Sequence, residues 1–205
     1  MNDAEHWEKV YSSRPPDRLG WYRPHLETPL AWIEALNLRP EDPVIDVGGG
    51  ASTLVDDLLT RGHVDMTVVD LAESAVRTAR SRLGDAAAGV NWLVGDITAI
   101  ELPRNDYRLW HDRAVFHFLT GAAARQKYRD ALLGVLAAGG HFIIGTFTHE
   151  APPRCSGLPV VRYDADGLAG MFGDAFALRR HDYELHVTPG GVEQAYVYCL
   201  FQRTA

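Results

Sequence analysis

Cysteine and lysine are scarce in this chain, and a long apolar run is missing. Two cysteines, Cys155 and Cys199, are too few for a disulfide scaffold and do not lie in a Cys-x-x-Cys pair. That scarcity predicts a reducing, cytoplasmic home. Only Lys9 and Lys127 of the 20 basic residues are lysines, which reads as a compositional bias without functional meaning. No stretch approaches the roughly 20 apolar residues of a membrane span, and the polar, acidic residues 1–6 lack the apolar core of a secretory signal. Positive charge is in deficit. A formal net charge of −7 argues against a polyanion as main partner, because phosphate binding needs a basic surface. The expected partners therefore include neither nucleic acid nor membrane. His111, Asp112 and His117 follow no standard metal-ligand spacing, so no metal is assigned.

What is present suits one soluble globular domain: 205 residues, 46% of them hydrophobic and 23% charged. Residues 1–40 have no strand pattern. They predict a short helix over 5–11, a loop rich in Pro, Arg and aromatics over 12–24, and a helix over 28–36 with Trp32, Ile33 and Leu36 at helical spacing. From Val44 onward strand and helix alternate. Strand 44–47 leads to helix 52–61, strand 66–69 to helix 72–83, and strand 90–94 ends at Gly95-Asp96. Strand 107–111 leads to a helix over 121–138, which Gly139-Gly140 is expected to stop before strand 141–146. Such alternation predicts an α/β, doubly wound parallel sheet with helices on both faces. The tail differs: two β-rich runs, 176–187 and 193–202, flank Thr188-Pro189-Gly190-Gly191, a hairpin signal.

The chemistry concentrates at the ends of the strands, where ligands lie in doubly wound folds. Val44-Ile45-Asp46-Val47 runs into Gly48-Gly49-Gly50, a side-chain-free bend that can turn tightly against a ligand. A second apolar run ends at Asp70, twenty residues past Gly50, where an acid can hold a ribose with two free hydroxyls. A dinucleotide site would want a third glycine where Thr53 stands. Asp46, inside the bend, would repel a pyrophosphate but suits a cationic amino-acid tail.

This pattern resembles motif I of the class I S-adenosylmethionine-dependent methyltransferases, Asp/Glu-x-Gly-x-Gly-x-Gly, with Ser52 in place of the last glycine. The resemblance implies a seven-stranded, mostly parallel sheet closed by an antiparallel C-terminal pair, with S-adenosyl-L-methionine as cofactor. It also implies that Asp46, Gly48, Gly49, Gly50 and Ser52 contact the methionine and ribose portions. Asp70 would take the ribose hydroxyls, with Leu71 flanking the adenine. Gly95-Asp96-Ile97 resembles the third motif, in which Asp96 accepts from the adenine amino group and Ile97 packs on the ring. The plain alternative for Asp96 is a turn or cap residue.

The fourth strand end, residues 109–119, is dense in ionisable groups and in the family faces the methyl group and substrate. His111 could contact the cofactor and take a proton from an incoming hydroxyl, thiol or amine. Arg113 could orient an anionic substrate, and His117 could line its pocket. Against this, Asp112 and Arg113 could pair or cap the next turn, and His117 could fill a polar niche.

His6-Trp7-Glu8-Lys9-Val10-Tyr11 and Gly20-Trp21-Tyr22 look like the leading segment of small-molecule methyltransferases related to the thiopurine and tellurite enzymes. Residues 1–40 are accordingly expected to form a lid and substrate segment over a cofactor-binding region, 41–205, within a single structural domain. Tyr11 and Trp21 would touch the cofactor and Tyr22 the substrate, whereas Trp7 and Trp32 could be mere helix packing faces. The turn-rich loop after the fifth strand, residues 149–160, offers Arg154 and Cys155 to the pocket. Cys199, in an apolar strand pattern, reads as core. The expected function is methyl transfer to a small-molecule O, N or S acceptor by a monomer or homodimer. A protein-lysine methyltransferase is the nearest alternative, and an NAD(P)-dependent reductase or an inactive cofactor-binding module stand further off.

Overall fold

The computed structural model describes residues 3–102 and 106–204. Its centre is a seven-stranded sheet. Strands β1 (Val44–Val47), β2 (Met66–Asp70), β3 (Val90–Val94), β4 (Tyr107–Arg113) and β5 (Leu136–Phe147) run parallel. A two-stranded hairpin, β6 (Arg154–Cys155) and β7 (Leu158–Pro159), lies outside the sheet. The long antiparallel pair β8 (Phe176–Val187) and β9 (Glu193–Arg203) completes it, giving the order β3-β2-β1-β4-β5-β9-β8.

Strands β1 and β2 are buried along their whole length, as a parallel sheet covered on both sides requires. Alternate residues of the same strands feed two cores. Ile45, Val47, Trp110 and Phe142 pack with Tyr128 and Leu132 of helix α5 (Ala122–Val135) and Phe172 of α6 (Ala165–Phe172). Val44, Val68, Leu109 and Ile143 pack on the other face with Trp32 of α2 (Glu27–Ala35) and Leu58 of α3 (Leu54–Thr60). Trp32 is therefore core, and so is Cys199. Helix α1 (Asp3–Ser13) lies against α4 (Glu73–Leu83), where Trp7, Val10, Tyr11 and Trp21 join Leu19, Ala51, Ala72 and Ala75 in a third cluster.

The structure shortens one expected helix. α5 ends at Val135 rather than 138, because Leu136 already pairs with Tyr107 in the sheet. Gly139 (φ +73°) and Gly140 then fall in an irregularity of the β4–β5 ladder between Tyr107 and Leu109. These glycines serve a strand bulge, not a helix stop. The fourth strand likewise runs two residues further, to Arg113, so that it carries its ionisable groups to the sheet edge. The order in which the strands are added reverses between the parallel neighbours β1 and β4, opening a crevice at their tips. No helix among the described residues is long and apolar enough to cross a membrane.

Candidate active site

The crevice is built by the bend after β1. Gly50 passes so close to β2 that a Cβ there would sit 2.8 Å from Asp70 Cβ and 2.7 Å from Ala75 Cβ. That approach lets Asp70 Oδ2 accept the Gly50 N–H (3.0 Å) while Oδ1 accepts the Ala72 N–H (2.9 Å). Asp70 is only 6% exposed, and burial pushes its carboxyl up to about 6 against the pull of those amides. Gly49 lies against the other acid: a Cβ on it would fall 2.3 Å from Asp46 Oδ2.

A cavity of about 240 Å³ opens over these strand tips. Asp70 at the tip of β2, Leu71 just past it, and Gly95, Asp96 and Ile97 beyond β3 line it. Asp96 also accepts from the Thr98 N–H and hydroxyl (both 2.8 Å), so it organises its turn as well as facing the cavity. Trp7, Tyr11, Trp21 and Phe118 supply its aromatic wall, with Trp7 centred 5.6 Å from Trp21 and 5.0 Å from Phe118. Burial, followed by the nearby Asp70 charge, holds the Tyr11 phenol well above its ordinary value. Trp7 was missed as a wall residue by the sequence reading. The signal for it is spacing, since Trp7 and Tyr11 stand four apart on α1 and so share a face.

A smaller cavity of about 30 Å³ adjoins the first beneath the bend. Trp21, Val47, Gly48 and Arg113 line both, and Tyr22, Asp46, Ser52 and His111 line only the smaller one. The ladder register sets Asp46 beside His111, and His111 Nδ1 lies 2.7 Å from Asp46 Oδ1 with both side chains buried. Asp46 Oδ2 and His111 Nε2 are buried without a partner. Ser52 Oγ accepts the Leu54 N–H at the start of α3.

The remaining expected site residues divide. Arg113 reaches the larger cavity, and so does Cys155, whose thiol burial pushes up to about 11. His117 lines neither cavity. It is fully buried between Phe118 and Phe147, accepts the Phe147 N–H at 3.4 Å, and is held down to about 3 by burial and then by Arg113. Arg154 faces away, donating to the Gly157 carbonyl. Asp112 caps the turn below the cavity, accepting from the Val115 and Phe116 N–H groups and the Tyr128 hydroxyl. The hairpin β6–β7 contributes Leu158 and Pro159 to the cavity wall beside Cys155, all within the 149–160 loop expected to reach the pocket.

These residues fit an adenosyl amino acid. Acceptor oxygens at the β2 tip, apolar lining beside Asp96, and the unpartnered Asp46 Oδ2 and His111 Nε2 offer the mix of polar and apolar partners that such a molecule needs. A family model described as a methyltransferase domain matches residues 44–140. The chain is 26% identical over 113 residues to the eEF1A lysine and N-terminal methyltransferase of Mus musculus, covering 55% of this chain and 16% of that protein. It thus spans under a fifth of the length of that curated relative. Among solved structures, one from work on the conversion of a disulfide bond into a thioacetal group during echinomycin biosynthesis superposes with a TM-score of 0.80 at 20% identity, covering 99% of this chain and 94% of the other. An S-adenosylmethionine-dependent methyltransferase from Anabaena variabilis superposes at 0.74 with 15% identity, over 99% and 96%. Fold, strand-end acids and glycine bend agree with these matches: residues 44–140 match a methyltransferase domain, and the chain has the fold of S-adenosylmethionine-dependent methyltransferases.

Proposed function

We propose that this chain transfers a methyl group from S-adenosyl-L-methionine to a small-molecule O, N or S acceptor. The observation that carries the reading is the cavity over the strand tips, lined both by the acids Asp70 and Asp96 and by the aromatic side chains Trp7, Tyr11 and Trp21. The cofactor, when bound, supplies a methyl group already attached to its leaving group. The chain's work is alignment and exclusion of water, which can be worth roughly 7–11 kcal/mol.

Asp70 would accept from the ribose hydroxyls, and Leu71, Asp96 and Ile97 would hold the base. Asp46, His111, Ser52 and the backbone of Gly48, Gly49 and Gly50 would hold the amino-acid end. His111 opens on the smaller cavity and is tied to Asp46, so it serves this reading as a donor-holding group rather than a base. Trp7, Tyr11 and Trp21 form the lid that keeps water out. Residues 1–40 thus act with 41–205 as one functional unit.

A protein substrate is the second reading, prompted by the eEF1A-modifying relatives. A lysine side chain would meet the fixed positive charge of Arg113 in the cavity, which favours the small molecule. Incubating the protein with methyl-labelled cofactor and a cell extract separates the two. Label is expected in the low-mass fraction, and label confined to protein would overturn the small-molecule acceptor.

A further inference from the structure

Arg113 is held on three sides by neutral groups. Its Nε–H donates to the Tyr198 hydroxyl at 2.8 Å, an Nη1–H donates to the Trp21 carbonyl at 2.9 Å, and the guanidinium lies 4.7 Å over the Tyr196 ring. Its Nη2 is buried and bonds to nothing. Among the described residues no carboxylate comes within ion-pair distance of it. Guanidinium does not lose its proton in proteins; Glu184 on β8 bears on it from beyond ion-pair distance and itself pairs with Arg23, and a buried cation without a close counter-ion is costly. The arrangement is nonetheless built with care. Arg113 pairs with Gly145 on β5, where a Cβ would meet the Tyr198 ring at 2.6 Å, so the missing side chain gives Tyr198 room to meet the guanidinium.

The surroundings of this cation are apolar and flat. Trp7, which packs edge to face on Trp21 and on Phe118, lines the same cavity as Arg113. The ionisable wall groups Tyr11 and Cys155 are kept neutral by burial, and among the described residues neither Asp70 nor Asp96, the carboxylates of the lining, pairs with Arg113. Arg113 also leans towards β9 and the lid, away from β2 and β3.

We propose that the methyl acceptor is a flat, apolar molecule bearing an anionic group, and that Arg113 binds that anion through its free Nη2 while the aromatic walls take the ring. This rests on the methyltransferase reading above and narrows its substrate class. The competing anion is the carboxylate of the methyl donor itself, and the test separates the two.

The protein saturated with S-adenosylhomocysteine is titrated calorimetrically with indole-3-acetate, indole-3-acetamide and tryptamine, which share a ring and differ in charge. The acetate is expected to bind at least about tenfold more tightly than the amide, with tryptamine weakest, as a charged hydrogen bond predicts. Arg113→Gln is expected to abolish that preference while S-adenosylhomocysteine affinity stays near wild type. Arg113→Lys, which keeps the charge and loses the fork, should retain part of it, and thermal melts report whether either variant folds. Equal or absent binding of the acetate in wild-type protein overturns the proposal without recourse to a variant. So does a folded Arg113→Gln that loses S-adenosylhomocysteine, which would give Arg113 to the donor. Failure of the wild-type protein to bind S-adenosylhomocysteine at all defeats the underlying reading instead, and the proposal falls with it.

Discussion

Replacing Asp70 by asparagine separates the binding role of the β2 acid from its structural one. At neutral pH the buried carboxylate is ionised at a cost: a rise from the ordinary 3.8 to about 6 corresponds to about 3 kcal/mol of folding free energy. Asparagine removes that cost. It also offers a single carbonyl oxygen where two are engaged, one by the Gly50 N–H and one by the Ala72 N–H. An amide donor left facing another donor costs about 1–3 kcal/mol. The two effects oppose, so stability should change by no more than about 2 kcal/mol. Binding has no such compensation. Loss of a charged acceptor for two ribose hydroxyls should weaken S-adenosylhomocysteine by about 100-fold. Urea unfolding and titration calorimetry on the same preparation measure both quantities. A stable Asp70→Asn protein that binds the ligand within about threefold of wild type would refute the assignment and leave Asp70 as a loop-bracing residue only.

Further outcomes follow from the same geometry. S-Adenosylhomocysteine affinity should fall towards tenfold per pH unit below about 6, as Asp70 takes up a proton and ceases to accept; a flat affinity from pH 7 to 5 would count against it. Gly50→Ala should abolish ligand binding, because its Cβ would overlap Asp70 and Ala75 and push the bend off the acid, and equilibrium dialysis reads this directly. His117 is neutral when folded, so between about 6.5 and 3 the unfolded chain binds the extra proton and stability falls with acid, by up to about 1.4 kcal/mol per pH unit. Asp70 and Asp112, both raised to about 6, act oppositely between about 4 and 6, where the folded chain holds the extra protons and stability is lost as pH rises. His117→Gln should therefore be relatively more stable at pH 5 than at pH 7 when each is compared with wild type by urea unfolding. An unchanged difference would show that His117 does not set the acid limb.

Much of the sheet was legible in the sequence because buried parallel strands need mostly apolar, β-branched residues, and Val44–Val47 and Met66–Asp70 supply them around the buried Asp46 and Thr67. Asp46, Asp70 and the glycines were legible for a related reason: a carboxylate ending such a run has no packing role to explain it. Pairing across the sheet was not legible. That Asp46 meets His111 depends on the β1–β4 register, which joins residues 65 apart and leaves no local trace. The Gly139-Gly140 pair misled because a helix end and a strand bulge ask for the same backbone freedom. Trp7 looked like a helix packing face, and it is one, but the surface it packs on is also the wall of the cavity. Arg113 was picked out by its position, yet its restraint by Tyr198, Tyr196 and the Trp21 carbonyl comes from elements more than 80 residues away.

The most direct test is titration calorimetry of the purified protein with S-adenosylhomocysteine at pH 7.5. Saturable heat at one ligand per chain, lost in Gly50→Ala, is the predicted result. No heat from a folded wild-type protein would contradict the claim that these strand tips hold an adenosyl amino acid.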